Sequence, residues 1–184
     1  DQNERLSKMV KTLLDMSELQ TVARDEKIEV DALVEEVLAD LDPLAEEKNV
    51  ILESVCDAVT MMGSDILIYR VVYNLVENAI KYNLPGGSVT VRVEARGEQS
   101  ILSVADTGIG IPEADRPNIF NRFYRVDKAR SREHGGSGLG LSIVHDAAAL
   151  YGGTVTVDGV EPHGTRFTVT FPRAKADNAP EVQK

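Results

Sequence analysis

Three short segments of the 184-residue chain hold the residues best equipped for chemistry. The first is Asn74, Asn78 and Lys81. Placed at about 100° per residue on a helix, they fall within ~60° of one another, a turn apart. Two amides and an ammonium on one ridge offer neutral oxygens and a positive charge. That set suits a hard hydrated cation together with a phosphate, the amide oxygen ligating Mg²⁺ and the lysine facing the anion. Tyr82, next in line, can lay its ring against a base. Taken alone, the same side chains also make an ordinary solvated helix face.

The second segment is Asp106-Thr107-Gly108-Ile109-Gly110, directly after an apolar, β-prone run. An aspartate at a strand end followed by alternate glycines puts a carboxylate at a pocket mouth. The glycines let backbone approach a planar ligand closely. A carboxylate accepting from an exocyclic amine selects adenine over guanine, which presents a carbonyl there. The bland alternative is a tight turn. The third segment runs from Gly135 to Ser142 (GGSGLGLS) and opens a helix. Glycine-rich backbone leading into a helix N-terminus offers free N–H groups and a positive dipole end, a seat for phosphate. Spacing excludes two better-known phosphate motifs. A P-loop needs Lys after its second glycine, and Leu141 follows Gly140. The pattern G-x-G-x-x-G fails at Leu141 after Gly136 and Gly138, and at Glu113 after Gly108 and Gly110. The H-R-D and D-F-G triplets of eukaryotic-type protein kinases are missing as well.

Between the glycine segments the charge changes sign. From Arg116 to His134 there are six basic residues (Arg116, Arg122, Arg125, Lys128, Arg130, Arg132) against Asp127 and Glu133, a local +4 in a chain of net −10. That asymmetry suits a lid over a polyphosphate. Phe120, Phe123 and Tyr124 are expected to anchor it by burying their rings.

The elements that must position these groups follow from periodicity and punctuation. Residues 4–20 carry apolar positions at helical spacing and look like the end of a longer amphipathic helix. Lys27–Val30 reads as a strand, with Asp31 capping the helix after it. Val50–Val55 and Val59–Met62 read as strands. Ser64 or Asp65 caps a helix to about Tyr82, with Ile68, Val72, Leu75, Val76 and Ala79 as its core stripe. Residues 88–95 and 101–105 form a hairpin around Gly97. Residues 107–138 are a long loop with one short helix. Leu139–Tyr151 is a helix stopped by Gly152-Gly153. Thr154–Val157 and Thr165–Phe171 close the fold around Pro162-His163-Gly164. Strands and helices without strict alternation predict an α+β two-layer sandwich.

Composition sets the outer limits. With 42% hydrophobic residues the chain can fill one sizeable core. A net charge of −10 argues against nucleic acid or an anionic membrane as the main partner. The single cysteine, Cys56, cannot form an internal disulfide. No apolar run approaches the ~20 residues of a bilayer span. A cytoplasmic location is expected.

In order, Asn74–Tyr82 (NLVENAIKY), Asp106–Gly110 (DTGIG), Phe120–Arg125 (FNRFYR) and Gly136–Gly140 (GSGLG) resemble the N, G1, F and G2 boxes of sensor histidine kinases. Gly164-Thr165-Arg166-Phe167 resembles the glycine motif that closes the same domain. The resemblance covers about residues 27–172 and implies the Bergerat ATP-binding fold, a mixed sheet covered by helices with a mobile lid at about 112–137. It implies that residues 1–20 are the end of the second dimerisation helix, 21–26 a linker and 173–184 a tail. It further implies ATP and Mg²⁺ as cofactors, with Asn78 on the metal and Asn74 near metal or phosphate. Lys81 would contact phosphate, Tyr82 pack on the nucleotide, Asp106 bind the adenine amine and Arg125 reach the γ-phosphate. Gly108, Gly110, Ile111, Phe123, Tyr124, Gly136, Ser137, Gly138, Leu139 and Gly140 complete the implied nucleotide contacts, with Asn74, Lys81 and Arg125 the catalytic group. Related chaperone, gyrase and mismatch-repair ATPases carry a glutamate where Asn74 stands. An amide cannot act as a base, which favours transfer to a protein over hydrolysis.

The family's acceptor histidine has no match here. His134, His145 and His163 lie off any dimerising helix and read as ordinary residues. The acceptor, and with it a sensor and membrane anchor, is expected upstream. The expected partners are the parent's own dimerisation and phosphotransfer domain, in a homodimer, and a response regulator. Two alternatives stand beside the kinase reading: a serine kinase of the anti-sigma-factor type, and a nucleotide-binding interaction module without catalysis.

Overall fold

The computed structural model describes residues 23–126 and 137–172, together with positions 6, 7, 10, 17 and 21. Leu6, Ser7, Val10 and Ser17 are helical. The rest of the expected helix over 4–20, the lid residues 127–136 with Gly136 and His134, and the tail from 173 lie outside the described residues.

A five-stranded sheet carries the fold. Its strands are β2 (Ile51–Cys56), β4 (Ser88–Arg96), β5 (Gln99–Asp106), β6 (Thr154–Gly159) and β7 (Thr165–Pro172), in the order β2-β4-β5-β7-β6. β2 runs parallel to β4 and every other pair is antiparallel. The sheet is therefore mixed, as expected. A separate antiparallel pair joins β1 (Glu26–Glu29) to β3 (Thr60–Gly63). Among the described residues three helices cover one face: α1 (Val30–Lys48), α2 (Asp65–Lys81) and α3 (Gly140–Leu150). A short 3₁₀ helix, Arg116–Asn118, is the one expected in the long loop.

Strand alternation decides which face is covered. On β4, Val89, Val91 and Val93 are buried, and on β5 Leu102 and Val104. They meet the α2 stripe of Leu67, Ile68, Val71, Val72, Leu75, Val76, Ala79 and Ile80, all 4% exposed or less. Each fully buried large aliphatic side chain contributes about 1.5–3 kcal/mol, so this central layer dominates stability. The opposite face is open and polar. A shallow concavity of about 610 Å³ lies there, lined by residues such as Thr90, Arg92, Ser103, Arg166 and Thr168.

Two sequence expectations about helix starts need comment. Ser64 caps α2 through its hydroxyl, which accepts from the Leu67 amide at 3.4 Å. Asp31, by contrast, is no cap: α1 starts at Val30, with Glu29 at the cap position and no side-chain bond. The Val30 amide donates to the Val59 carbonyl at 2.9 Å. Pairing with a residue 29 positions away thus sets the strand-to-helix switch. Asp31 sits in the first turn, where a negative charge favours the helix dipole.

Candidate nucleotide-binding site

Helix α2 places Asn74, Asn78 and Lys81 on the ridge that periodicity predicts, all half-buried beside the core stripe. The Asn74 side-chain amide donates to the Arg70 carbonyl at 2.7 Å, which points its Oδ1 the other way. That oxygen faces Gly140, where an added Cβ would lie 2.9 Å from it. The first turn of α3 is therefore packed against the middle of α2. Lys81 Nζ lies 2.7 Å from Glu77 Oε1, one turn earlier. Partly exposed pairs of this kind are worth at most about 1 kcal/mol, so an incoming phosphate can compete for the ammonium.

The loop after β5 docks on the end of α2. The Ile109 amide donates to the Tyr82 carbonyl at 3.1 Å. Gly108 comes so close that a Cβ there would lie 2.3 Å from the same carbonyl oxygen. No other residue fits this approach without moving the backbone. Asp106 is 7% exposed, and its Oδ1 accepts two amides, from Gly108 at 2.8 Å and Thr165 at 3.2 Å. Among the described residues no group donates to Oδ2. Burial pushes the Asp106 carboxyl up to about 6, against the two amides that pull it down.

The aromatic segment meets the glycine segment next. The Phe123 amide donates to the Gly138 carbonyl at 2.9 Å. Phe123 has φ +63° and Gly138 φ +74°, so the two left-handed residues sit face to face. For a bulky residue that conformation is strained by about 1–2 kcal/mol. The expectation that three rings anchor the lid holds for two of them. Phe120 packs edge-on against Phe167 with centroids 6.1 Å apart. Tyr124 packs on the core, and its hydroxyl donates to Asp115 Oδ1 at 2.5 Å. Phe123 does not anchor: it is 48% exposed, because its left-handed backbone turns the side chain outward. Ile111 packs on the core edge and Arg125 is half-buried. Helix α3 has Leu139 at its cap position with no side-chain cap there, although Ser137 Oγ accepts the Leu139 amide at 3.3 Å. Uncapped first-turn amides are what an anion needs.

The segments separated in sequence are thus joined by specific contacts: α2 to the Asp106 loop at Tyr82, α2 to the glycine segment at Asn74, and the glycine segment to the aromatic one at Phe123. Sequence reasoning missed two participants, the Thr165 amide on Asp106 and the His163 ring, whose Nδ1 lies 3.1 Å from the Gly108 carbonyl oxygen. Both come from the start of β7 and the turn before it, more than fifty residues away. The only sequence signal for either was the resemblance of Gly164–Phe167 to a closing glycine motif.

No group of three or more His, Cys, Asp or Glu side chains that could hold a metal occurs among the described residues. The oxygens available on the ridge are amides. Magnesium bound by one or two protein oxygens, with phosphates and waters completing its octahedron, fits such a set better than a permanently caged ion does.

The described residues thus form a mixed sheet covered by helices, with the loop of a buried aspartate docked on the end of the central helix and a glycine-led helix packed against its middle. The chain belongs to the histidine kinase-, DNA gyrase B-, and HSP90-like ATPase family, whose signature spans residues 63–175. Within that family it is a catalytic ATP-binding domain of the histidine kinase type. The sensor-like histidine kinase SenX3 of Mycolicibacterium smegmatis is 35% identical over 177 residues, covering 93% of this chain and 46% of SenX3. The sensor histidine kinase WalK of Bacillus subtilis is 46% identical over 107 residues, 57% of this chain and 18% of WalK. The solved structure of full-length ShkA in complex with AMPPNP matches with a TM-score of 0.78 and 28% identity, covering 93% of this chain and 36% of that one. The chain thus spans less than half the length of each of these proteins. No described helix is long and apolar enough to cross a membrane.

Proposed function

We propose that this chain holds ATP so that its γ-phosphate is transferred to a histidine on a separate helical domain of a sensor kinase. One observation carries the reading: the Asn74–Asn78–Lys81 ridge, the Asp106 loop and the start of α3 are tied together by direct contacts at Tyr82 and Asn74. Asp106 Oδ2 accepts the adenine amine, while Gly108 and Gly110 form the wall beside it. Tyr82 packs on the nucleoside. Lys81 and Arg125 neutralise phosphate charge, and the amides from Ser137 to Gly140, leading into α3, cradle it. Asn78 holds the magnesium that accompanies the triphosphate, with Asn74 beside it. The metal's contribution is to neutralise charge on the phosphate oxygens.

What remains for the protein is positioning. A phosphoryl group moving between in-line oxygen and nitrogen atoms needs alignment and charge stabilisation more than it needs a base. Asn74 agrees with this, since an amide beside the phosphates cannot take a proton from water. The relatives named above are sensor kinases, and ShkA was solved with an ATP analogue. In this reading the parent is a homodimeric, membrane-anchored kinase whose phosphoryl group passes to a response regulator, with this part on the cytoplasmic side. The test is transfer in trans: radiolabelled ATP and this chain should label the helical dimerisation domain of its own parent. A chain that binds ATP but labels no such domain, under conditions where the whole parent labels itself, would remove the kinase reading.

A further inference from the structure

The turn between β6 and β7 does more than join two strands. It is closed by the Val160 amide on the Gly164 carbonyl at 3.1 Å. Gly164 (φ +130°) lies flush on the end of β5: an added Cβ would stand 2.0 Å from the Asp106 carbonyl oxygen. The next residue, Thr165, gives its amide to the Asp106 carboxylate. The turn is therefore fixed on both sides of Gly164, and His163 precedes it directly. From there the imidazole reaches across to the Gly108 carbonyl. A carbonyl only accepts, so the bond requires the proton on Nδ1. Gly108 is otherwise held by its own amide on Asp106 and by close approach to Tyr82. Among the described residues, its carbonyl is tied by a side chain only at His163.

We propose that His163 is a positioning residue for the adenine wall, its Nδ1–H fixing the Gly108 carbonyl and so the height of the Gly108–Gly110 loop against a bound base. This rests on the reading of Asp106 as the adenine acceptor. His163 does not touch the reacting phosphate, so it acts on nucleotide affinity and base selectivity and leaves the transfer rate alone. The ring is exposed, which lets it be replaced without opening the core.

The test compares three variants by calorimetric titration of the 184-residue chain with Mg·ATP. Asparagine carries its side-chain NH₂ near the position of Nδ1, whereas glutamine carries it near Nε2. His163→Ala should weaken ATP about three- to tenfold, the worth of one hydrogen bond. His163→Asn should recover most of that loss and His163→Gln little of it. Weak GTP binding should be unchanged in all three, and the melting temperature should match that of the unaltered chain. Equal affinity in all four proteins would overturn the proposal. So would Asn and Gln falling together with Ala, since ring packing rather than the Nδ1 bond would then matter. An unaltered chain that fails to bind ATP would instead sink the adenine assignment itself, which separates the two failures.

Discussion

Asp106 is the residue on which the most chemistry turns. Burial raises its carboxyl to about 6, although two amides hold the charged form. The folded value thus lies above the ~3.9 of an unfolded aspartate. Between those two values the folded chain binds more protons than the unfolded one, so this group makes stability fall as pH rises from about 4 to about 6, with no further change above. Binding should show the opposite trend. A carboxylate accepting from adenine is strongest when ionised, so ATP affinity should drop as pH falls through about 6. Asp106→Asn should flatten that profile and narrow the preference for ATP over GTP. Fluorescence titration of both nucleotides from pH 5 to 8 reads both effects, and an unchanged profile in the variant would rule out the adenine role. Asn78 makes a second test at this scale. Asn78→Ala should cost roughly tenfold or more in Mg²⁺-dependent ATP affinity, the loss of one metal ligand, with little change in melting temperature. An unaltered magnesium dependence would displace the metal from Asn78.

At the scale of elements, the account depends on how α2 and α3 lean on each other. Gly140→Ala puts a methyl group 2.9 Å from Asn74 Oδ1, and the flexible amide must swing away. Nucleotide affinity should fall several-fold while the fold survives, which calorimetry and thermal melting separate. Leu75→Ala, on the buried face of the same helix, should do the reverse. It empties a fully buried site and should cost about 2–5 kcal/mol of stability in denaturant titration. Helices were the most legible part of the sequence. The α2 stripe and its Ser64 cap follow from apolar spacing and one hydroxyl. The start of α1 did not follow, because the Val30 amide bonds to Val59 and local capping rules cannot see that partner. Phe123 misled for a related reason. An aromatic side chain reads as a buried anchor, but its left-handed backbone, set opposite Gly138, leaves it exposed.

At the scale of the whole molecule, the α+β class was readable from order and alternation; the mixed sheet was implied only by the family resemblance, and strand pairing was not legible. That β2 lies parallel to β4, and that β7 sits between β5 and β6, depends on contacts between distant segments. The same limit explains the site. The residues of each glycine or amide segment were visible in their spacing, but the Thr165 amide and His163 ring arrive only through the β5–β7 pairing. Of the described histidines, His145 lies in α3 and His163 in the β6–β7 turn, and the account places the acceptor on a separate domain, so incubating the chain alone with radiolabelled ATP should leave it unlabelled; strong self-labelling would mean that a histidine of this chain accepts phosphate. The central claim, that three segments serve one nucleotide, is tested most directly by amide NMR. The 184-residue chain should be titrated with Mg²⁺ and a non-hydrolysable ATP analogue. The account predicts that amides at 74–82, 106–110 and 137–140 shift together along one saturation curve with one dissociation constant. Shifts confined to one segment, or segments saturating at different concentrations, would contradict it.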